Sequence, residues 1–148
     1  MIDKKLMQMI VAFLIAFAII SSYVNAIGIT PGRTVFDFEP KMHREVKFSV
    51  VNTEHKDMRV LLKLEGDREL TDNIRLSSEF VEFKANEDVK DFTYVLDINR
   101  ASLGRPGDYQ AAIIAHELTQ STEGEGTYVG ASVAVASQLV IRVPFPGK

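Results

Sequence analysis

The chain contains no cysteine. A disulfide framework, a thiolate zinc site and a Cys-based redox centre are therefore excluded, so packing and hydrogen bonding must hold the fold. Tryptophan is also absent, which excludes an antibody-type domain with its buried Trp against an inter-sheet disulfide. Positive charge is not in surplus: 17 Lys and Arg stand against 20 Asp and Glu, for a formal net charge of −3. A nucleic-acid binder needs a basic stripe to neutralise phosphates, and that class is set aside. No Asn-x-Ser/Thr triplet occurs, so N-linked glycosylation has no acceptor. Past Ala26 no apolar run approaches the ~20 residues that span a bilayer. What is present is 148 residues, 46% hydrophobic and 25% charged, an ordinary composition for one folded domain.

The first segment is set apart from the rest. Lys4 and Lys5 are followed by an unbroken apolar run from Met9 to Ile20, then by Ser21, Ser22, Tyr23 and the small-residue pattern Val24-Asn25-Ala26. A positive start, a short apolar stretch and an A-x-A-like end describe a secretory signal peptide cut after Ala26. The alternative is an uncleaved N-terminal anchor running from Leu6 to Val24. Both readings place residues 27–148 outside the cytoplasm, and removing residues 1–26 takes away Asp3, Lys4 and Lys5 and leaves a net charge of −4.

The remainder alternates apolar and polar residues, the signature of strands with one buried face. Strands are predicted over 33–38, 44–52, 58–64, 74–76, 80–83, 89–98, 109–116 and 128–143. Their inner rows include Val46, Phe48 and Val50; Met58, Val60, Leu62 and Leu64; and Phe92, Tyr94, Leu96 and Ile98. No window of ten residues after Ala26 carries a helical stripe with caps. About seven short antiparallel strands in a domain of this size predict an all-β, immunoglobulin-like antiparallel β-sandwich behind an N-terminal signal helix. Tyr109, just after Pro106-Gly107-Asp108, stands where a tyrosine corner would lie.

The stretches Gly28-Ile29-Thr30-Pro31-Gly32-Arg33, Glu39-Pro40, Val50-Val51-Asn52 and Val143-Pro144-Phe145-Pro146-Gly147-Lys148 resemble secreted Ig-like domains of archaeal envelope proteins. More loosely, they are similar to the NEW3 and CARDB classes of extracytoplasmic sandwich module. The resemblance covers residues 27–148 and rests on turn and core residues, so it implies fold and compartment and no chemistry. In such proteins further domains or a C-terminal membrane anchor often follow. The chain here stops after its last strand, so either the domain acts alone or the sequence is a fragment.

Motifs that could carry catalysis fall short. His116-Glu117-Leu118-Thr119-Gln120 begins like H-E-x-x-H, but Gln120 replaces the second histidine and the context is a strand end. Gly130-Ala131-Ser132-Val133-Ala134 misses G-x-S-x-G by one residue and has no helix behind it to form a nucleophile elbow. Gly124-Glu125-Gly126 leads into a strand, where a phosphate would meet no helix N-terminus. His43, His55 and His116 are too dispersed to share a metal, and Glu117, Glu123 and Glu125 read as a solvated acidic loop rather than a calcium site. The sequence therefore implies a non-enzyme with no cofactor and no metal site.

The last strand carries the interaction hypothesis. Val129, Ala131, Val133, Val135, Leu139, Ile141 and Val143 share one parity, broken by Ser137, and sixteen residues exceed the usual strand of ~3–10. Either the strand bends near Ala136-Ser137 and changes sheets, or part of it projects as an exposed edge that a partner strand can cover. Val129, Ala131, Val133 and Val135 are the candidate partner-binding residues, and the small Gly130, Ser132, Ala134 and Ala136 would let a neighbouring backbone approach. A long loop followed by such a strand also resembles the periplasmic chaperones of pilus assembly, whose corresponding strand pairs with a subunit. Those are two-domain proteins, and here a second domain is missing. The expected function is a structural or protein-interaction module of the cell envelope, with a pilus or fibre assembly factor or subunit as the alternative and a secreted hydrolase as a remote third. The expected partner is another protein, or a second copy, at an edge strand. Nucleic acid is not expected, and a membrane would be met only through the N-terminal segment or a missing C-terminal anchor.

Overall fold

The computed structural model describes residues 27–99, 101–118 and 133–147, with Gln8 alone ahead of them. The expected leader over residues 1–26 otherwise lies outside the described residues, as do Val129 and Ala131.

Nine strands are described: β1 (Gly28–Thr30), β2 (Arg33–Asp37), β3 (Met42–Val51), β4 (Met58–Gly66), β5 (Ile74–Leu76), β6 (Phe80–Phe83), β7 (Val89–Ile98), β8 (Gly107–Leu118) and β9 (Ala134–Val143). One four-residue helix, α1 (Arg68–Thr71), buries Leu70 between β4 and β5 in the sequence. Two sheets form, β1-β3-β7-β5 and β2-β9-β8-β4-β6. The fold is the expected Ig-like β-sandwich.

Two features correct the expectation of seven antiparallel strands. β2 runs parallel to β9, in register from Arg33↔Gln138 to Asp37↔Arg142. There are also more strands, because two chain segments change sheets. β1 pairs with β3 in the first sheet; the chain then passes a cis Thr30–Pro31 peptide and Gly32 and continues as β2 in the second. On the other side β5 pairs with β7, and Ser77-Ser78-Glu79 carries the chain across to β6 beside β4. Three of the four halves coincide with strands expected over 33–38, 74–76 and 80–83; β1, three residues long, is too short to show two-residue alternation.

Elsewhere the inner rows are the buried ones, with Val140 of the outer row of β9 buried as well. Phe48, Val50, Tyr94, Leu96 and Ile98 of the first sheet are buried, and Met58, Val60, Leu62, Ile113, Ala115, Leu139 and Ile141 face them from the second. Each large aliphatic or aromatic side chain removed from water here contributes roughly 1.5–3 kcal/mol. Phe48 lies 5.7 Å from Phe92 and 6.1 Å from Tyr94 between ring centroids, both tilted pairs. Burial pushes the Tyr94 hydroxyl above its ordinary pKa, opposed by a hydrogen bond with Thr34 that ties the two sheets together.

The tyrosine corner forms. The Tyr109 hydroxyl donates to the Arg105 carbonyl at 3.1 Å and accepts from the Arg105 N–H at 3.0 Å, four residues upstream, the backbone bond that defines the motif.

Candidate functional site at the uncovered half of β9

The two switching segments leave four half-edges. Because β1 covers β3 only at Ser49–Val51, Met42–Phe48 pairs on one side alone among the described residues. Because β2 covers β9 only at Gln138–Arg142, Ala134–Ser137 pairs with β8 alone among the described residues. Opposite, β5 covers β7 at Tyr94–Leu96, and β6 covers β4 at Met58–Leu61. An edge strand presents a row of backbone donors and acceptors that a second chain can use, and charged side chains are the common way of discouraging this.

Three of the half-edges carry such charges. On β3 they are Arg44, Glu45 and Lys47; on β7, Lys90 and Asp91; on β4, Lys63 and Glu65. Arg44 belongs to the inward row, where its guanidinium lies 5.2 Å from the Phe36 ring centroid and pairs with Glu39 at 3.0 Å. The fourth, Ala134-Val135-Ala136-Ser137, has none.

Its backbone geometry follows from the neighbours. The Glu117 N–H donates to the Val133 carbonyl, and the Gln138 N–H donates to the Gly32 carbonyl. Odd-numbered residues of β9 therefore bond to β8, and even-numbered ones point toward β2 or, before β2 begins, away from the sheet. The N–H and C=O groups of Ala134 and Ala136 face that open side, and both side chains are exposed. Val133 and Val135 belong to the opposite, inward row and pack half-buried against the core.

The last strand thus departs from the first sequence-based account, a bend with a change of sheet, and part of it is an edge, as in the second. From Ala134 to Val143 it stays in one sheet, so no change of sheet occurs near Ala136-Ser137. It is an interior strand over Gln138–Arg142 and an edge only over Ala134–Ser137. Ser137, the polar break in the inward row, is 5% exposed and donates its hydroxyl to the Pro31 carbonyl at 2.5 Å.

Other candidate chemistry is dispersed. His43 is 3.8 Å from Asp97 on the outer face of the first sheet, His55 is 2.9 Å from Asp88 at a sandwich end, and His116 lies near the end of β8. Among the described residues no three His, Asp or Glu side chains are grouped to hold a metal. Glu123, Glu125 and the glycine loop lie outside the described residues. A charged cleft of about 450 Å³ is lined by Lys56, Arg59, Glu82, Lys84 and Glu117, whose cations are taken up in ion pairs. Lys56 reaches both Glu117, at 2.7 Å, and Glu54, and these carboxylates raise its pKa above the ordinary 10.5. Sequence reasoning did not find the sheet changes that create the half-edges; the Pro31-Gly32 break was their only local signal.

No family model matches the chain, and no curated protein matches it in sequence. Solved structures do match in shape. The Salmonella enterica SafA pilin in complex with the SafB chaperone aligns with a TM-score of 0.58 at 12% identity, over 86% of this chain and 59% of that one. The Acinetobacter baumannii CsuC-CsuE chaperone-tip adhesion subunit pre-assembly complex aligns at 0.54 and 14% identity, over 82% and 59%. The PapD-like domain 7 of human CEP192 aligns at 0.54 and 14% identity, over 81% and 86%. The chain therefore spans a little under 60% of the bacterial chains it matches and most of the isolated human domain. Identity this low shows the fold alone: an Ig-like sandwich of PapD-like shape.

Proposed function

We propose that this protein is a non-enzymatic module working outside the cytoplasm that takes up a partner protein by strand addition along the uncovered half of β9. The observation that carries this reading is the contrast among the four half-edges: three are charged, and Ala134–Ser137 is both uncharged and built of small residues. An incoming strand can approach closely there and bond to the N–H and C=O groups of Ala134 and Ala136, since main-chain bonding supplies affinity in this mode of recognition and alternate side chains supply selectivity. Val133 and Val135 present their remaining exposed surface on the inward side, where a partner's apolar side chains would extend the core.

Support also comes from the kind of protein that shares the shape, which includes a chaperone holding a pilin and one holding a tip adhesion subunit. On that basis the partner is a fibre or pilus subunit, and the compartment is the one the leader-like segment before Ala26 implies.

Ala136→Pro tests it. The Ala136 N–H points away from β8, so proline removes no existing ladder bond but blocks an added strand. A photo-crosslinking residue at Ala134 should capture a defined protein in the cells that make this chain. Introducing Ala136→Pro should abolish that adduct while circular dichroism and the thermal midpoint stay unchanged. An adduct that persists in the folded Ala136→Pro chain, or that forms equally from Lys47 on the outer face of the other sheet, overturns the reading.

A further inference from the structure

β6 is the outermost strand of the five-stranded sheet, and its sequence, Phe80-Val81-Glu82-Phe83, is that of a strand prone to self-pairing. It is aromatic and β-branched, carries one charge, and leaves Phe80 53% exposed. By composition it is a poorly defended edge, yet its backbone is not free. The Leu62 N–H donates to the Glu79 carbonyl, so Glu79, Val81 and Phe83 exchange bonds with β4 and the backbone groups of Phe80 and Glu82 point outward.

Three of those four outward groups are occupied by side chains. The Ser78 hydroxyl donates to the Phe80 carbonyl at 2.7 Å and accepts from the Phe80 N–H at 3.3 Å. The Lys90 ammonium donates to the Glu82 carbonyl at 2.6 Å. Lys90 belongs to the inward row of β7 in the opposite sheet, so its side chain crosses the gap between sheets to reach this edge. Glu87, 3.0 Å away, and the Phe83 ring, whose centroid is 5.6 Å away, hold it there.

We infer that Ser78 and Lys90 close β6 as a pairing edge, so that a second copy of this chain cannot add to the sheet at that side. A second β6 running antiparallel would need the same Phe80 and Glu82 groups that these caps hold. It would also have to displace an ammonium from a carbonyl, a carboxylate and an aromatic face together. The closure does not depend on what binds β9.

The test compares the full wild-type chain with Ser78→Ala/Lys90→Met, which keeps the aliphatic stem of Lys90, and with the same variant carrying Glu82→Pro. Sedimentation equilibrium over a range of concentrations should show self-association at least about tenfold tighter in the double variant than in wild type. Glu82→Pro removes an outward N–H and the carboxylate paired with Arg59 but no β4–β6 ladder bond, and should return association to the wild-type level. Unchanged association in the double variant, or association that survives Glu82→Pro, overturns the inference. If the double variant is unfolded by circular dichroism, amide exchange decides: the Phe80 N–H should exchange about tenfold more slowly in wild type than in Ser78→Ala, and equal rates overturn the inference. Crosslinking at Ala134 is unaffected by any of these results, so the two readings fail separately.

Discussion

Ser137 donates its hydroxyl to the Pro31 carbonyl at 2.5 Å, joining the middle of β9 to the point where the first strand leaves one sheet for the other. The bond lies just where coverage of β9 by β2 ends, so it fixes how much of β9 is left as an edge. Ser137 is 5% exposed and stands between Val135 and Leu139 in an otherwise apolar row. Removing the hydroxyl leaves the Pro31 carbonyl without this donor. We expect Ser137→Ala to lower stability by about 1–2 kcal/mol, read as a lower urea midpoint at unchanged slope.

Gly66 is the second position where a single atom decides the local fold. It closes β4 opposite Ala111 with φ of 141°, and a Cβ there would lie 2.4 Å from the Gln110 carbonyl oxygen and 2.6 Å from the Ala111 Cα. Both obstacles are backbone, so no side-chain rotation relieves them. Gly66→Ala should destabilise the protein by roughly 2 kcal/mol or more, combining the left-handed φ with the clash. Gly32→Ala, whose Cβ would meet nothing within 4 Å, is the control expected to stay within about 0.5 kcal/mol of wild type.

Much of the sandwich is legible in the sequence because burial on one face imposes a period of two. The strands at 74–76, 80–83 and 89–98 were bounded correctly, and the inner rows of β3, β4 and β7 are the buried ones. Tyr109 was legible for a similar reason, since a corner tyrosine follows a turn at a strand start. What did not show is pairing. Nothing local in Arg33–Asp37 says that it will lie parallel to a strand a hundred residues later, because periodicity reports which face is wet and not which neighbour is bonded. On β9 the sequence offers Val133 and Val135 as partner-binding residues and the small Ala134 and Ala136 as the side a neighbouring backbone approaches; the sheet packs both valine side chains half-buried against the core and turns the backbone groups of the two alanines to the open side.

Lys56 gives the molecule a defined pH response. Its side chain joins Glu117 and Glu54, and hydrogen bonds to both raise its folded pKa above the ordinary 10.5. A raised pKa means that the folded state binds the proton more tightly, so the contribution is fully present below about pH 10.5 and is lost as pH rises through the folded value. Lys56 is largely exposed, which keeps the contribution small and salt-sensitive. Lys56→Met should therefore lower the urea midpoint at pH 8, and the gap to wild type should narrow by pH 11.5 and in high salt.

Asn52, just past the end of β3, is fully buried, and its amide ties together two connections that frame one end of the sandwich. The Nδ2 donates to the Lys56 carbonyl at 3.0 Å and the Glu87 carbonyl at 3.1 Å, with the Lys84 carbonyl at 3.5 Å. Its backbone N–H donates to the Asp88 carbonyl at 2.7 Å, while Oδ1 is buried without a partner among the described residues. Asn52→Ala strands carbonyls in the interior and should cost about 2–3 kcal/mol. Asn52→Asp keeps the shape but cannot donate when ionised and sets a negative charge against carbonyl oxygens, so its folded pKa is raised. The penalty is then small below an unfolded carboxyl pKa of about 3.9 and grows as pH rises above it. At pH 7 the Asp variant should unfold at lower urea than the Ala variant, and at pH 4 the order should close or reverse. A pH-independent difference between the two would show that loss of shape, and not loss of the donor, sets the cost at this position.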